Sequence, residues 1–292
     1  MKIAIVSSFN FHYECIGFLC EVLQEHSISI FSNYDRYSYI EYFKSLFPNI
    51  SSYPSFYVNN TILNMFDLVI KLSSNDTIIS DNKVVSLLHL SDLKDISGKY
   101  ISLTKFISGP DIINMFPVYK IPNFRVIFGK TITFIGFYED IWCDFDFDFF
   151  IKHSVYTFNF IVWGDAVYPR LYSYRNINIF QNVNTNDLTN IISSSTFILS
   201  RKPPYINYDR FCGYFSLACS FKKPLIVDKK SQEIYGFPGI IFDQGYSEVV
   251  ERLNSLTAYE YLDLVNQVEK FRDNSILQNK EKMDCLLASL NH

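Results

Sequence analysis

The chain has 292 residues, of which 48% are hydrophobic and 19% are charged, and its formal net charge is −4. This length suits one large domain or two domains of about 100–150 residues, and the composition predicts a folded protein with a core. The weakly negative charge indicates no bulk binding to nucleic acid. Phe and Tyr are abundant, with 28 and 21 residues, which biased genome composition explains most simply.

The six cysteines show no CxxC pattern and no zinc-like spacing; they stand at positions 15, 20, 143, 212, 219 and 285. Together with the lack of a secretion signal, this pattern predicts reduced thiols and a cytoplasmic protein. The apolar run at residues 2–6 is too short for a signal peptide. No run of 18 apolar residues occurs, so we expect no membrane span, while peripheral attachment to a membrane stays open.

Short apolar runs alternate with helical spacing through the first part of the chain. Predicted strands are residues 2–6, 28–31, 68–72, 83–88 and 100–103. Residues 17–23 have the apolar spacing of a helix after the first strand. Strands that alternate with helices predict βαβ units and a doubly wound parallel sheet.

Pro117 and Pro122 interrupt any regular element and mark a boundary between two domains. The strand–helix alternation then restarts, with predicted strands at residues 131–136, 158–163, 177–180, 197–200, 225–228 and 240–242. Predicted helices are 186–195, 246–256, 259–273 and a last one that ends near residue 290. We therefore predict domains at 1–122 and 123–275, with the final helix, 276–292, crossing back towards the first domain.

The most informative stretch is residues 208–218, in which a polar loop brings Gly213 to the mouth of a short helix. A helix that opens on glycine presents backbone N–H groups and the positive end of its dipole to a ligand. Gly213, Tyr214 and Ser216 are therefore candidates to bind phosphate oxygens. A glycine that only makes a turn is the alternative.

Two further strand ends carry candidate ligand-binding residues. Arg201 and Lys202 follow the strand 197–200 and precede two prolines, a placement that suits a diphosphate, whereas a solvated charge pair is the alternative. Gly164 and Asp165 follow the strand 158–163 and are weaker candidates for ligand contacts.

His12 and Glu14 follow the first strand, at the sheet edge where such folds bind ligands. His12 is a candidate base or a group that holds a substrate hydroxyl, and Glu14 is placed to orient it or to bind substrate. An ordinary loop histidine is the alternative. His89 and Asp76, also at strand ends, are expected to be structural or to line the cleft.

Residues 144–150 contain two overlapping DxD patterns, Asp144-Phe145-Asp146 and Asp146-Phe147-Asp148. Such patterns hold a metal–diphosphate complex in some transferases. The same residues are equally consistent with a strand that has one acidic face, or with the start of a helix whose dipole favours acids. We predict no metal site.

These features resemble those of a GT-B glycosyltransferase, in which two Rossmann-like domains face each other across a cleft. Residues 182–192, 197–200 and 218–226 look like the donor-side segments of the large retaining family that includes glycogen-, sucrose- and lipopolysaccharide-type transferases. The resemblance covers residues 130–275 moderately well and residues 1–120 mainly by topology. Short virus-encoded members with a His-Tyr-Glu sequence, as at residues 12–14, look most similar.

The resemblance implies transfer of a sugar from a UDP- or GDP-linked donor to a glycan or glycoconjugate, without a metal or another cofactor. The family has two glutamates eight residues apart in the donor loop; here Asp209 and Leu217 stand at those positions. Asp209 suits sugar hydroxyls, whereas Leu217 cannot accept a ribose hydrogen bond. The family's basic pair after residue 136 is also missing. These departures make a non-catalytic sugar-binding or scaffold protein one alternative. The other is a metal-dependent transferase that uses Asp144-Phe145-Asp146.

Overall fold

The computed structural model describes residues 1–7, 14–32, 38–54, 58–72, 83–88, 99–105, 109–122, 126–136, 145–163, 171–201 and 211–290. The side chains of residues 14, 145 and 171 are outside this description. The chain divides into two units. The first contains Met1–Lys120, Asp209–Gly213 and Asp273–His292, and the second contains Ile121–Tyr208 and Tyr214–Arg272.

Within the described residues, the sheet of the first unit has seven parallel strands in the order β3-β2-β1-β4-β5-β6-β7. The strands are β1 (Lys2–Ser7), β2 (Ser27–Ser32), β3 (Ile50–Pro54), β4 (Leu68–Lys71), β5 (Val84–Leu88), β6 (Lys99–Ser102) and β7 (Ile112–Asn114). Residues 3–7 of the central strand β1 are all buried, as expected of a parallel strand covered on both faces.

The helices of the first unit are α1 (Glu14–Val22), α2 (Tyr39–Leu46) and α3 (Asn60–Leu63) among the residues described. In α2 the apolar spacing places Ile40 and Phe43 on the buried face. The sequence predicted neither β3 nor β7. Both are edge strands, and β7 is short and only half-buried, so apolar periodicity gives little signal for it.

The described part of the second unit has a sheet of six parallel strands, in the order β10-β9-β8-β11-β12-β13. They are β8 (Thr131–Gly136), β9 (Thr157–Val162), β10 (Ile177–Gln181), β11 (Phe197–Leu199), β12 (Leu225–Asp228) and β13 (Gly239–Phe242). In both sheets the first strand of the unit lies beside its fourth. This order is that of a Rossmann fold, and the predicted pair of Rossmann-like α/β sheets is confirmed.

The remaining helices are α4 (Phe145–His153), α5 (Thr185–Ser194), α6 (Gly213–Ser220), α7 (Lys229–Tyr235), α8 (Val250–Ser255) and α9 (Ala258–Ser289), with 3-10 helices at Leu171–Ser173 and Tyr246–Val249. Local chemistry explains their ends. The Asn184 side chain accepts the backbone N–H of Asp187 at the start of α5, and Asp228 accepts that of Ser231 at the start of α7.

Aromatic side chains fill the core of the second unit. Phe147 and Phe150 from α4 pack on Tyr246, and their rings also contact Phe160 and Phe158 of β9. All five of these side chains are almost completely buried. Much of the unusual Phe and Tyr content is therefore core, where each ring buries a large apolar area.

The prediction of separate helices at 259–273 and beyond was wrong. Residues 258–289 form one helix of 32 residues, because this stretch contains no Gly or Pro to break it. Its last part belongs to the first unit, where Asn279 exchanges two hydrogen bonds with the backbone of Phe116 and Lys280 pairs with buried Glu21. No helix in the described part of the chain could span a membrane.

Candidate functional site

The carboxyl edge of the second sheet is where its topology favours a ligand. β8 and β11 lie side by side, and the strands that follow each of them in the chain lie on opposite sides of this pair. Doubly wound sheets bind ligands at such a switch point, outside the carboxyl ends of the strands. Here β8 ends at Gly136, and Ser200 and Arg201 follow β11.

Arg201 and Gly136 are close neighbours at this switch point. A Cβ atom on Gly136 would lie 3.6 Å from Nη2 of Arg201 and 3.2 Å from Cζ of the Phe134 ring. The guanidinium group therefore extends from the end of β11 across the end of β8. Gly136 therefore lies beside both the Phe134 ring and the Arg201 side chain.

Two tyrosine hydroxyls hold the peptide group that joins Ser200 to Arg201. Tyr246 Oη donates to the carbonyl oxygen of Ser200 at 2.8 Å, and the N–H of Arg201 donates to Tyr214 Oη at 3.5 Å. The Ser200 hydroxyl also donates to the Arg201 carbonyl at 3.1 Å. The backbone from which the Arg201 side chain projects is thus fixed at both ends of one peptide group.

Helix α6 begins at Gly213, and the contact of Tyr214 with Arg201 brings its first turn to the end of β11. Tyr214, Ser216 and Leu217 are all buried. The Ser216 hydroxyl has no hydrogen-bond partner in the described part of the chain. Leu217 packs in the interior.

The acids of the DxD patterns that the structure describes lie in α4 and accept hydrogen bonds from the protein. Asp146 Oδ2 accepts the backbone N–H of Tyr246 at 2.9 Å, and its Oδ1 accepts that of Ser247 at 3.0 Å. Asp148 accepts the Tyr174 hydroxyl and lies 3.9 Å from Lys152 Nζ. No group of three or more metal-ligating side chains occurs among the described residues. Asp146 therefore caps the turn that begins at Tyr246, and the helical alternative for this segment is correct.

Lys223 is a buried cation that does not belong to this site. Its Nζ donates to the carbonyl oxygens of Ser193 and Ser195, at 2.8 and 2.5 Å, and thereby caps the end of α5. Burial lowers its pKa to about 7. Lys223 precedes the amino end of β12, at the edge opposite to Arg201, so this perturbed group has a structural explanation.

Several predicted site residues lie outside the described residues, namely His12, Gly164, Asp165, Lys202 and Asp209, together with His89, Asp76 and Asp144. Glu14 is the first residue of α1, with a side chain outside the description. Of the predicted residues that are described, the structure brings Arg201 and Tyr214 into contact. Sequence reasoning missed Gly136, although its place at a strand end was visible, and Tyr246, for which the sequence gives no signal.

No protein-family model matches the sequence, and no curated protein matches it. Solved structures do match it along its whole length. AviGT4, a glycosyltransferase involved in avilamycin A biosynthesis, is 14% identical with a TM-score of 0.67, over 99% of this chain and 98% of that one. Anabaena Alr3699/HepE, in complex with UDP-glucose, is 10% identical with a TM-score of 0.67, over 99% and 100%.

The T4 phage β-glucosyltransferase is also similar, with 11% identity and a TM-score of 0.56 over 100% of both chains. At such low identities these likenesses show the fold alone. The predicted GT-B fold is confirmed.

Proposed function

We propose that this protein is a glycosyltransferase that moves a sugar from a UDP- or GDP-linked donor to a glycan or glycoconjugate acceptor, without a metal. The observation that carries the proposal is the placement of Arg201 beside Gly136, at the switch point of the second sheet in a GT-B fold. A fixed cation there suits the diphosphate of a nucleotide sugar. Alr3699/HepE, which has a similar fold, has been crystallised with UDP-glucose.

The leaving nucleoside diphosphate gains negative charge as the glycosidic bond breaks. In the proposed site Arg201, Lys202 and the first turn of α6 at Gly213 stabilise this charge, which is an electrostatic contribution to catalysis. Asp209 holds hydroxyls of the transferred sugar, and Gly164 and Asp165 contact the donor. The roles of Lys202, Asp209, Gly164 and Asp165 rest on the sequence.

The acceptor is proposed to bind near His12 and Glu14, after the first strand of the first unit. In an inverting reaction His12 removes the proton from the acceptor hydroxyl, whereas in a retaining reaction the leaving phosphate takes that proton. The retaining mechanism, the virus-encoded origin and the cytoplasmic location rest on the sequence resemblance and composition alone.

The hydrogen bonds that Asp146 accepts within the protein argue against the metal-dependent alternative. Both of its carboxylate oxygens accept backbone N–H groups, so a structural role explains this acid without a metal. The non-catalytic alternative has one observation in its favour, which is the buried Leu217 at a position where the resembling family has a ribose-binding glutamate.

Titration calorimetry with UDP, GDP and uridine, with and without manganese, tests the proposal. We expect one nucleoside diphosphate to bind without metal and more tightly than its nucleoside. Lys202→Ala should lower that affinity about ten- to a hundredfold, because a charge-assisted hydrogen bond contributes about 1.5–3 kcal/mol. Uridine binding should not change. Lys152→Ala, which removes an exposed lysine that pairs with Asp148, is the matched control.

The three functions give different results in this titration. Strict dependence on manganese would support the metal-dependent alternative, and no nucleotide binding would contradict the transferase. His12→Ala should leave donor binding unchanged and lower sugar transfer. Equal binding of the diphosphate by Lys202→Ala and the parent would contradict the proposed role of Lys202.

A further inference from the structure

We propose that Tyr246 and Tyr214 are positioning residues, which hold Arg201 over Gly136 so that its guanidinium binds the diphosphate. This inference deepens the proposed function and rests on it for the identity of the ligand. It assigns to two tyrosine hydroxyls a role that acts through the Ser200–Arg201 peptide.

The geometry of one peptide group carries the inference. The Ser200 carbonyl and the Arg201 N–H belong to the same peptide bond, and each is bonded to a different tyrosine hydroxyl. Tyr246 is 0% exposed and Tyr214 is 6% exposed, so neither hydrogen bond is exchanged readily with bulk water. Rotation of this peptide would break both bonds, and the start of the Arg201 side chain is therefore held in one direction.

The direction of the side chain matters because arginine is long. A guanidinium on a free backbone samples many positions and loses that freedom when it binds an anion. At its far end, Nη2 would lie 3.6 Å from a Cβ atom on Gly136, which places the guanidinium beside the end of β8. A backbone that is fixed in advance favours an arginine that is ready to bind before the ligand arrives.

Tyr246 is itself held by the acid that the sequence suggested as a metal ligand. Asp146 accepts the Tyr246 N–H, and Glu248 accepts the N–H groups of residues 243–245, so the turn that carries Tyr246 is bonded on both sides. The ring of Tyr246 packs between Phe150 and Phe242. Tyr246→Phe removes the hydroxyl and keeps this packing, so the variant is expected to fold.

Tyr156 offers a matched control in the same core. Its hydroxyl donates to the carbonyl oxygen of Leu253 at 3.3 Å, and not to the Ser200–Arg201 peptide, and the residue is 3% exposed. Tyr156→Phe therefore removes the same kind of hydrogen bond from the same core. Only the variant at Tyr246 should change anion binding.

The experiment measures the affinity of the full chain for inorganic pyrophosphate, UDP and uridine. Tyr246→Phe should weaken pyrophosphate and UDP about fivefold, the equivalent of one neutral hydrogen bond, and leave uridine unchanged. Tyr214→Phe should have a smaller effect in the same direction, because its contact at 3.5 Å is longer. Tyr156→Phe should bind all three probes like the parent.

A double-mutant cycle tests whether the effect passes through Arg201. In an Arg201→Ala background, Tyr246→Phe should cause no further loss of pyrophosphate affinity. An equal loss in both backgrounds would overturn the positioning role, as would equal affinities of Tyr246→Phe and Tyr156→Phe for pyrophosphate. In another outcome the parent binds pyrophosphate, with affinities in the variants as the double-mutant cycle predicts, and yet binds neither UDP nor GDP. That result would support this inference and contradict the proposed function. A parent chain that binds none of these probes would contradict both.

Discussion

Replacement of Asp146 by alanine tests whether this acid stabilises the fold or binds a metal. The carboxylate accepts the N–H groups of Tyr246 and Ser247 at 2.9 and 3.0 Å, and it joins α4 to the turn that precedes α8. Hydrogen bonds to a charged group contribute about 1.5–3 kcal/mol each. Because the Asp146 side chain is half-buried and water replaces part of what is lost, we expect Asp146→Ala to lower the free energy of unfolding by about 2 kcal/mol.

Urea unfolding followed by circular dichroism measures this change, and thermal unfolding gives a second value. A loss of about 2 kcal/mol corresponds to a Tm lower by roughly 3 °C for a chain of this size that unfolds in one step. Asp263→Ala is the control, since Asp263 is exposed on α9 and accepts a hydrogen bond from Gln267. The control should change stability by less than about 0.5 kcal/mol.

The same variants also report on metal use. Asp146→Ala should not create or remove a manganese requirement for nucleotide binding. Unchanged stability, together with loss of a manganese-dependent nucleotide affinity, would refute the structural role and restore the metal-dependent alternative.

Three further predictions concern stability. Ser216→Ala should leave the free energy of unfolding in urea unchanged or raise it by up to about 1 kcal/mol, because its buried hydroxyl has no hydrogen-bond partner in the described part of the chain. The control Ser195→Ala loses a hydrogen bond to Ile191 and should lower the free energy of unfolding. Equal losses in the two variants would contradict this prediction. Because burial lowers the Lys223 pKa to about 7 and the unfolded chain keeps that proton to about pH 10, the free energy of unfolding should rise with pH between these values by at most about 1.4 kcal/mol per unit. Lys223→Met should remove this rise, and parallel pH profiles of variant and parent would refute it. Gly239→Ala should lower the free energy of unfolding in urea by about 3 kcal/mol, because the added Cβ would overlap the Leu225 carbonyl oxygen of the paired strand. An unchanged Tm would contradict this overlap.

The sequence predicted the central strands well because strands that are buried on both faces are continuous apolar runs in the sequence. The run at residues 2–6 and the run at 131–136 are apolar on both faces, and each is the first strand of a parallel sheet. The edge strand Ile50–Pro54 was missed because most of its residues are not buried and it ends in proline.

The candidate site was less predictable because its contacts join distant parts of the chain. Arg201 was visible as a cation after a strand, but its contact with Gly136 depends on the pairing of β11 with β8. Tyr246 is one of 21 tyrosines, and nothing local shows that its hydroxyl reaches Ser200, 46 residues away. Likewise, nothing in the acidic pattern around Asp146 shows that its carboxylate accepts the backbone N–H groups of Tyr246 and Ser247.

Release of nucleoside diphosphate from a panel of UDP- and GDP-sugars, with EDTA present, tests the central claim most directly. The assay is run with and without glycan acceptors. The account predicts release from at least one nucleotide sugar in EDTA, and slower release by Lys202→Ala than by the control Lys152→Ala. Tight binding of a nucleoside diphosphate without release from any sugar donor would contradict a transferase and favour a non-catalytic sugar-binding protein.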